Sequence, residues 1–354
     1  MRRARGMKLA ALAIAGSLAL AACASDEDTS GSGGSASSGG SEDGPKIGLA
    51  YDTGGRGDKS FNDSAYAGVE AAIEANGGSV QEVSPNSDAS DRADLLTQLA
   101  DQGFNPIIAV GFAYGDVIGD VAQQYPDVDF AIVDSTGVDV ADNVTGLQFA
   151  ANQGSFLGGV AAATKSETGH VGFVGGVETP LIQAFEAGFV AGAQTVNPQI
   201  IIDRQYISPA GDFSGFNDPA RGQIVAQGMF DAGADIVYAA AGGSGIGVFQ
   251  AAAASGGRAI GVDSDQYETV GDASLQAVIM TSVLKRVDNA VEAYIGTFVD
   301  GSVEGGTDVV NDLSTEGVGL SYSGGFIDDI QSTIDDYTQQ IVDGEITVPE
   351  TPTD

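Results

Sequence analysis

The sequence predicts an α/β protein of two lobes, each a doubly wound parallel sheet with helices on both faces. Short apolar runs alternate with stretches whose apolar residues recur at helical spacing. That alternation calls for parallel strands joined by crossover helices. About nine such strands exceed one comfortable sheet, and 354 residues suffice for two domains. The chain is expected to cross first from lobe to lobe near residue 150.

Residues 1–22 read as a signal peptide. Arg2, Arg3, Arg5 and Lys8 form its positive region, and Leu9 to Leu20 its apolar segment. It ends Leu20-Ala21-Ala22-Cys23, which resembles the bacterial lipobox, whose cysteine is acylated after cleavage. An ordinary secretory site that contains a cysteine is the alternative. Residues 23–44 are mostly Ser, Gly, Asp and Glu, cannot form a core, and are expected to act as a tether.

The folded part is expected from Pro45. Strands are predicted at 46–51, 79–83, 106–110, 129–133 and 144–149, with helices at 62–76, 91–102 and 114–124. In the first helix Ala65, Val69, Ala72 and Ile73 share a face. The cycle continues with strands at 170–175, 200–206, 235–240 and 258–262. Helices are placed at 153–165, 180–196, 218–232 and 245–255. Beyond 262 the pattern loosens to a strand at 275–281, a helix at 285–299 and a last helix at 326–342.

Composition excludes several classes. The formal net charge is −35, and no basic patch survives in the body of the chain, so nucleic acid is not a partner. The acid serves solubility or a saline surrounding. A single cysteine excludes an internal disulfide and a cysteine-based metal cluster. The one histidine, His170, opens a strand-like run and reads as structural. GxSxG, HExxH and Cys/His pairs are missing, which leaves catalysis poorly supplied. Paired carboxylates could still cleave a glycosidic bond, so a nucleoside- or sugar-processing hydrolase remains the enzymatic alternative. No cofactor or metal is called for.

The stretch Asp52-Thr53-Gly54-Gly55-Arg56-Gly57-Asp58-Lys59-Ser60-Phe61-Asn62-Asp63 joins the first strand to the first helix. It fits neither GxxxxGK[ST] nor GxGxxG, so it is no phosphate cradle. Asp52, Asp134 and Asp263 each close an apolar run, and strand ends of this kind converge on one crevice. Aspartate after a strand can equally make a turn or cap a helix. Phe61 and Phe216 could sandwich a flat heterocycle, with Phe213 competing for the second place. Phe185 and Phe189, at helical spacing, are expected to pack on the sheet. Lys285 is expected to open a helix, where it could pair with cleft carboxylates and donate to a sugar hydroxyl.

The Asp52-x-Gly-Gly-x-x-Asp58-Lys59-Ser60-Phe61-Asn62 segment, the lipobox, the strand ending at Asp134 and Gly242-Gly243-Ser244-Gly245 together resemble the basic membrane protein family of lipoproteins. Its best understood members are purine nucleoside receptors, the substrate-binding components of ABC importers. The resemblance covers roughly residues 45–345, and the Asp58–Asn62 segment is its most specific part. It implies a type I periplasmic-binding-protein fold whose lobes are joined by three crossovers. Residues 45–150 plus 281–315 would form the first lobe, 151–280 plus 316–345 the second, and 346–354 a tail.

The resemblance further implies that a purine stacks between Phe61 and Phe216, read by Asp52 and Asp134 with Asn62 beside them. Asp263 and Lys285 would hold the ribose, and backbone at Gly243 would approach the ligand. Ser244 stands where the family commonly has threonine. Implied partners are a purine nucleoside (inosine, guanosine or adenosine), an ABC permease and ATPase, and the membrane through lipid on Cys23. A ligand-sensing lipoprotein without a transporter is the other alternative.

Overall fold

The computed structural model describes residues 44–86 and 89–352. The signal-peptide, tether and Cys23 assignments lie outside the described residues, Gly44 apart. The first sheet is built from β1 (Lys46–Ala50), β2 (Ser79–Val83), β3 (Ile107–Ala109), β4 (Phe130–Val133) and β5 (Val144–Phe149). Helices α1 (Phe61–Asn76), α2 (Arg92–Asp101) and α3 (Gly115–Gln124) connect its first four strands.

The chain then enters the second sheet through α4 (Ala151–Lys165), β6 (His170–Val177), α5 (Pro180–Val196) and β7 (Ile201–Ser208). It continues with α6 (Pro219–Ala232), β8 (Ile236–Ala240), α7 (Gly245–Ser255) and β9 (Arg258–Asp263). Two single-turn helices, α8 (Gln266–Thr269) and α9 (Ala273–Gln276), precede β10 (Ile279–Lys285). α10 (Val287–Val299) and β11 (Thr307–Asn311) return to the first lobe. β12 (Val318–Leu320) and α11 (Gln331–Val342) finish the second.

The strand orders are β11-β5-β4-β3-β1-β2 and β12-β10-β9-β8-β6-β7. All pairings are parallel except β10 with β12, so the second sheet, expected to be wholly parallel, carries one antiparallel edge strand. The chain passes between the sheets three times: after β5, after β10 and after β11.

Side chains of each strand alternate between faces, which divides each lobe's core in two. In β1, Ile47 and Leu49 pack with Val69 of α1 and Val291 of α10, while Ala50 faces Leu96, Leu99 and Ile118 of α2 and α3. In the second lobe Phe173, Phe185 and Phe189 pack on one face, and Val174, Val237 and Phe249 on the other. α4 and α5 approach to backbone contact. A Cβ at Gly192 would stand 1.9 Å from the Phe156 carbonyl oxygen, and one at Gly188 2.1 Å from that of Asn152. Only glycine permits that approach.

The departures from expectation cluster after residue 262. The last long strand of the second sheet spans 279–285 rather than 275–281, and its helix starts at Val287, not 285. Thr281 to Lys285, expected in the first lobe, therefore pair in the second sheet, and the return begins after Lys285. β11 and β12 were not foreseen, and the last helix begins at Gln331 after two short 3₁₀ turns. Among the described residues no helix is long and apolar enough to cross a membrane.

Candidate functional site

Carboxyl ends of both sheets face a shared cleft. Asp52 follows β1 and Tyr51, Asp134 follows β4, Asp263 closes β9, and Lys285 is the last residue of β10. Lys285 thus stands at a strand end, not at the head of a helix, because β10 runs from Ile279 up to it with Thr281 and Ser282 buried inside the strand. Asp134 and Asp263 both adopt φ of 62°, a left-handed conformation that aspartate tolerates at a cost. Each turns sharply out of its strand there.

Lys285 sits at the centre, 4 % exposed. Its Nζ donates to Asp134 Oδ2 at 2.7 Å across the lobes, and lies 3.4 Å from Asp263 Oδ1 within its own lobe. It also stands 4.3 Å from the centroid of the Phe61 ring. Burial by itself would lower the ammonium's pKa. The attraction of the two carboxylates outweighs it and holds the pKa above the ordinary lysine value. Asp134 is pushed upward by burial, although Lys285 pulls the other way. Its second oxygen, Oδ1, is buried without a partner. Such an acceptor costs free energy until a donor meets it.

Asp52 and Asn62 form the other end. The Asp52 N–H donates to Asn62 Oδ1 at 3.0 Å, which leaves the Asn62 amide nitrogen as a donor. Asp52 Oδ1 accepts from the Thr53 N–H at 2.7 Å and pairs with Arg92 at 3.4 Å. Burial raises the Asp52 pKa against these two. Asp58 is the anchor of α1: its carboxylate accepts from the N–H groups of Ser60, Asn62 and Asp63. Burial pushes its pKa up to about 6, although those three bonds favour the anion.

The wall between these ends is aromatic and aliphatic. Phe61 and Phe112 come from the first lobe, Phe185 and Phe216 from the second, with Ile182 and Val262 between them. Phe185, expected to pack on the sheet, does so and also faces the cavity. Phe213 instead closes the rim, edge-on to Phe112 with ring centroids 5.8 Å apart. Gly242 lines the cavity; Gly243 lies behind it, against the Phe216 backbone and Asp58. Of the residues expected in the site, Asp52, Phe61, Asn62, Asp134, Phe216, Asp263 and Lys285 line one cavity. Its empty volume is about 540 Å³, open solvent at the mouth included.

The loop before α1 reaches across to the second lobe. Ser60 Oγ donates to Asp263 Oδ2 at 2.5 Å, and Ser264 Oγ to the Ser60 carbonyl at 2.9 Å. Gln266 Nε2 and Thr269 Oγ1 both donate to the Lys59 carbonyl. The lobes are therefore closed on each other along this seam. His170, at the opposite end of β6, pairs with Asp203 at 2.9 Å. Among the described residues no group of His, Cys, Asp and Glu is placed to hold a metal ion.

The model of the Bmp family, described as ABC transporter substrate-binding protein PnrA-like, matches residues 46–352. The chain belongs to this family. A Bmp relative in Lactococcus lactis, named ABC transporter nucleoside-binding protein BmpA, is 34% identical over 361 residues, covering 98% of this chain and 99% of that one. The CD4+ T-cell-stimulating antigen of Listeria innocua is 38% identical, covering 96% of each chain. Among solved structures, an ABC transporter solute-binding protein from Aeropyrum pernix is 27% identical with a TM-score of 0.76, covering 88% of this chain and 94% of that one. The Bmp chain described here thus has the type I periplasmic-binding-protein fold and is the substrate-binding protein of an ABC transporter. The family is one of substrate-binding proteins.

Proposed function

We propose that this Bmp protein is a lipid-anchored extracytoplasmic receptor that delivers a purine ribonucleoside, such as inosine, guanosine or adenosine, to an ABC permease and its ATPase. Cys23 would carry the anchor. The observation that carries the ligand assignment is Asp134, whose Oδ2 is held by Lys285 while Oδ1 is buried and unpartnered beside phenyl rings. A neutral ligand with a flat face and N–H or O–H donors answers that arrangement. Four carboxylates and one lysine line the cavity, a balance that repels phosphate and so disfavours nucleotides. Asp263 and Lys285 together offer an acceptor and a donor to adjacent ribose hydroxyls. The nucleoside-binding relative supports the same class.

Titration calorimetry with guanosine, inosine, adenosine, guanine and ribose tests the reading. The nucleosides should bind and be recovered chemically unchanged. Asp263→Ala should weaken ribonucleosides strongly and guanine little, because only the sugar loses its acceptor, at about 1–3 kcal/mol. Heat with ribose and none with any nucleoside would move the assignment to a sugar.

A further inference from the structure

The strongest feature outside the lining itself is Arg92. It opens α2, is 8 % exposed, and does not line the cavity. Its guanidinium lies between two rings, 5.6 Å from the centroid of Tyr114 in the first lobe and 5.1 Å from that of Phe213 in the second. One Nη donates to the Ala89 carbonyl, the other pairs with Asp52 Oδ1 at 3.4 Å, and Nε has no partner. Asp52 Oδ2 lies beside Gly111, where a Cβ would stand 2.5 Å from it. Gly111 has φ of 109°, so both its conformation and the missing side chain keep that oxygen's place clear.

We propose that Arg92 is a positioning residue that favours the ionised, acceptor-only form of Asp52, and so makes the site favour purine nucleosides bearing a ring N–H over those with a bare ring nitrogen. This rests on the nucleoside reading. The charged and titratable groups around Asp52 are Arg92 and Asp91 at the head of α2, Tyr114, and Asp58, Asp134 and Lys285 across the cavity. Lys285 is engaged by Asp134 and Asp263, which leaves Arg92 as the cation in contact with Asp52. Inosine and guanosine carry a hydrogen on N1; adenosine does not. An ionised carboxylate accepts from that hydrogen and repels the bare nitrogen's lone pair, whereas a carboxylic acid could donate to the bare nitrogen. Burial favours the acid and Arg92 opposes it, so removing Arg92 shifts Asp52 further toward the acid. Phe213 closes over the guanidinium from the opposite lobe, so the pair is shielded from water when the lobes meet.

Arg92→Met keeps a stem between the rings and removes the charge. It should lower affinity for inosine and guanosine by about tenfold to a hundredfold, the range of a hydrogen bond to a charged group, and adenosine several-fold less. Arg92→Lys should restore most of the selectivity, which a purely packing role would not require. Equal losses for all three nucleosides would overturn the assignment. Infrared difference spectra of ligand-free protein near neutral pH supply a second arm. Arg92→Met should gain a protonated-carboxyl band that Arg92→Met/Asp52→Asn lacks, and no gained band overturns the assignment. Should the single variant not fold, Arg92→Met/Asp52→Asn is compared with Asp52→Asn. A further change of selectivity in that background overturns the role through Asp52. The infrared arm needs no nucleoside, so it decides Arg92 separately from an unmodified chain that binds none of the three, which would refute the nucleoside reading.

Discussion

Replacing Lys285 with methionine should destabilise the protein more than any ordinary surface change. The side chain is 4 % exposed and pairs with two carboxylates at 2.7 and 3.4 Å. At an effective dielectric constant of about 20, those attractions are worth about 6 and about 5 kcal/mol before desolvation is counted. Burying the three charges offsets most of that, and removal of one partner from a buried pair costs about 3–5 kcal/mol. Methionine preserves the stem's packing, so the loss isolates the charge. Scanning calorimetry should show the midpoint falling by roughly 10 °C near pH 7. In the variant the stranded Asp134, whose pKa burial raises, binds a proton more tightly folded than unfolded, so stability rises as the pH falls through its raised folded value. Because Lys285 no longer pulls Asp134 down, the gap to the unmodified protein should narrow toward pH 5. A midpoint within about 1 °C of the unmodified protein at neutral pH would refute the argument, as would a gap that widens on acidification.

Three further outcomes are expected. Phe61→Ala should weaken every purine nucleoside alike by about 1–3 kcal/mol while Phe61→Tyr keeps binding, and calorimetry that finds base-dependent losses would argue against stacking on that ring. Asp58 has a folded pKa of about 6, above its unfolded value, so its contribution to stability is fully present at low pH and lost as the pH rises through 6. Denaturant titrations should find the unmodified protein gaining about 1 kcal/mol on Asp58→Asn between pH 8 and pH 5, after allowance for its partial exposure; a difference that does not vary with pH would contradict this. Ser264→Ala with Thr269→Val removes two donors to the Asp58–Asn62 loop. Small-angle scattering should show a larger ligand-free radius of gyration that contracts at saturating ligand, and an unchanged radius in both proteins would count against a two-lobed clamp.

The site was legible where it depends on strand ends. An apolar run closing in aspartate marks a carboxyl end, and parallel topology brings such ends together without any knowledge of packing. Asp52, Asp134 and Asp263 were found this way, and Phe61 from its place in a polar loop. Lys285 was singled out but put on the wrong element, because Thr281 and Ser282 interrupt an apolar run whose polar side chains are buried by hydrogen bonds to other loops. β11 was invisible: Val309 and Val310 are half exposed at a sheet edge, so the segment Thr-Asp-Val-Val-Asn lacks a buried strand's signature. Arg92 could not be foreseen in Asp-Arg-Ala-Asp, since its burial comes from Phe213, far along the chain. Gly243 was expected at the ligand, but the turn that the four-residue glycine segment makes presents Gly242 instead.

The third passage between the sheets has a consequence for folding order. Gln148 of β5 and Asp308 of β11 are hydrogen-bonded neighbours 160 residues apart in sequence, and α10 packs on α1 across a longer separation, 224 residues between Ser64 and Asp288. The lobe begun first is therefore completed late, after nearly all of its partner has been synthesised. Contacts of such long range slow folding, because loop closure must precede them. A chain cut after Lys285 would keep five of the six second-lobe strands yet leave β5 as a raw edge and α1 uncovered. The first lobe cannot be completed until residues that follow most of the second have joined it.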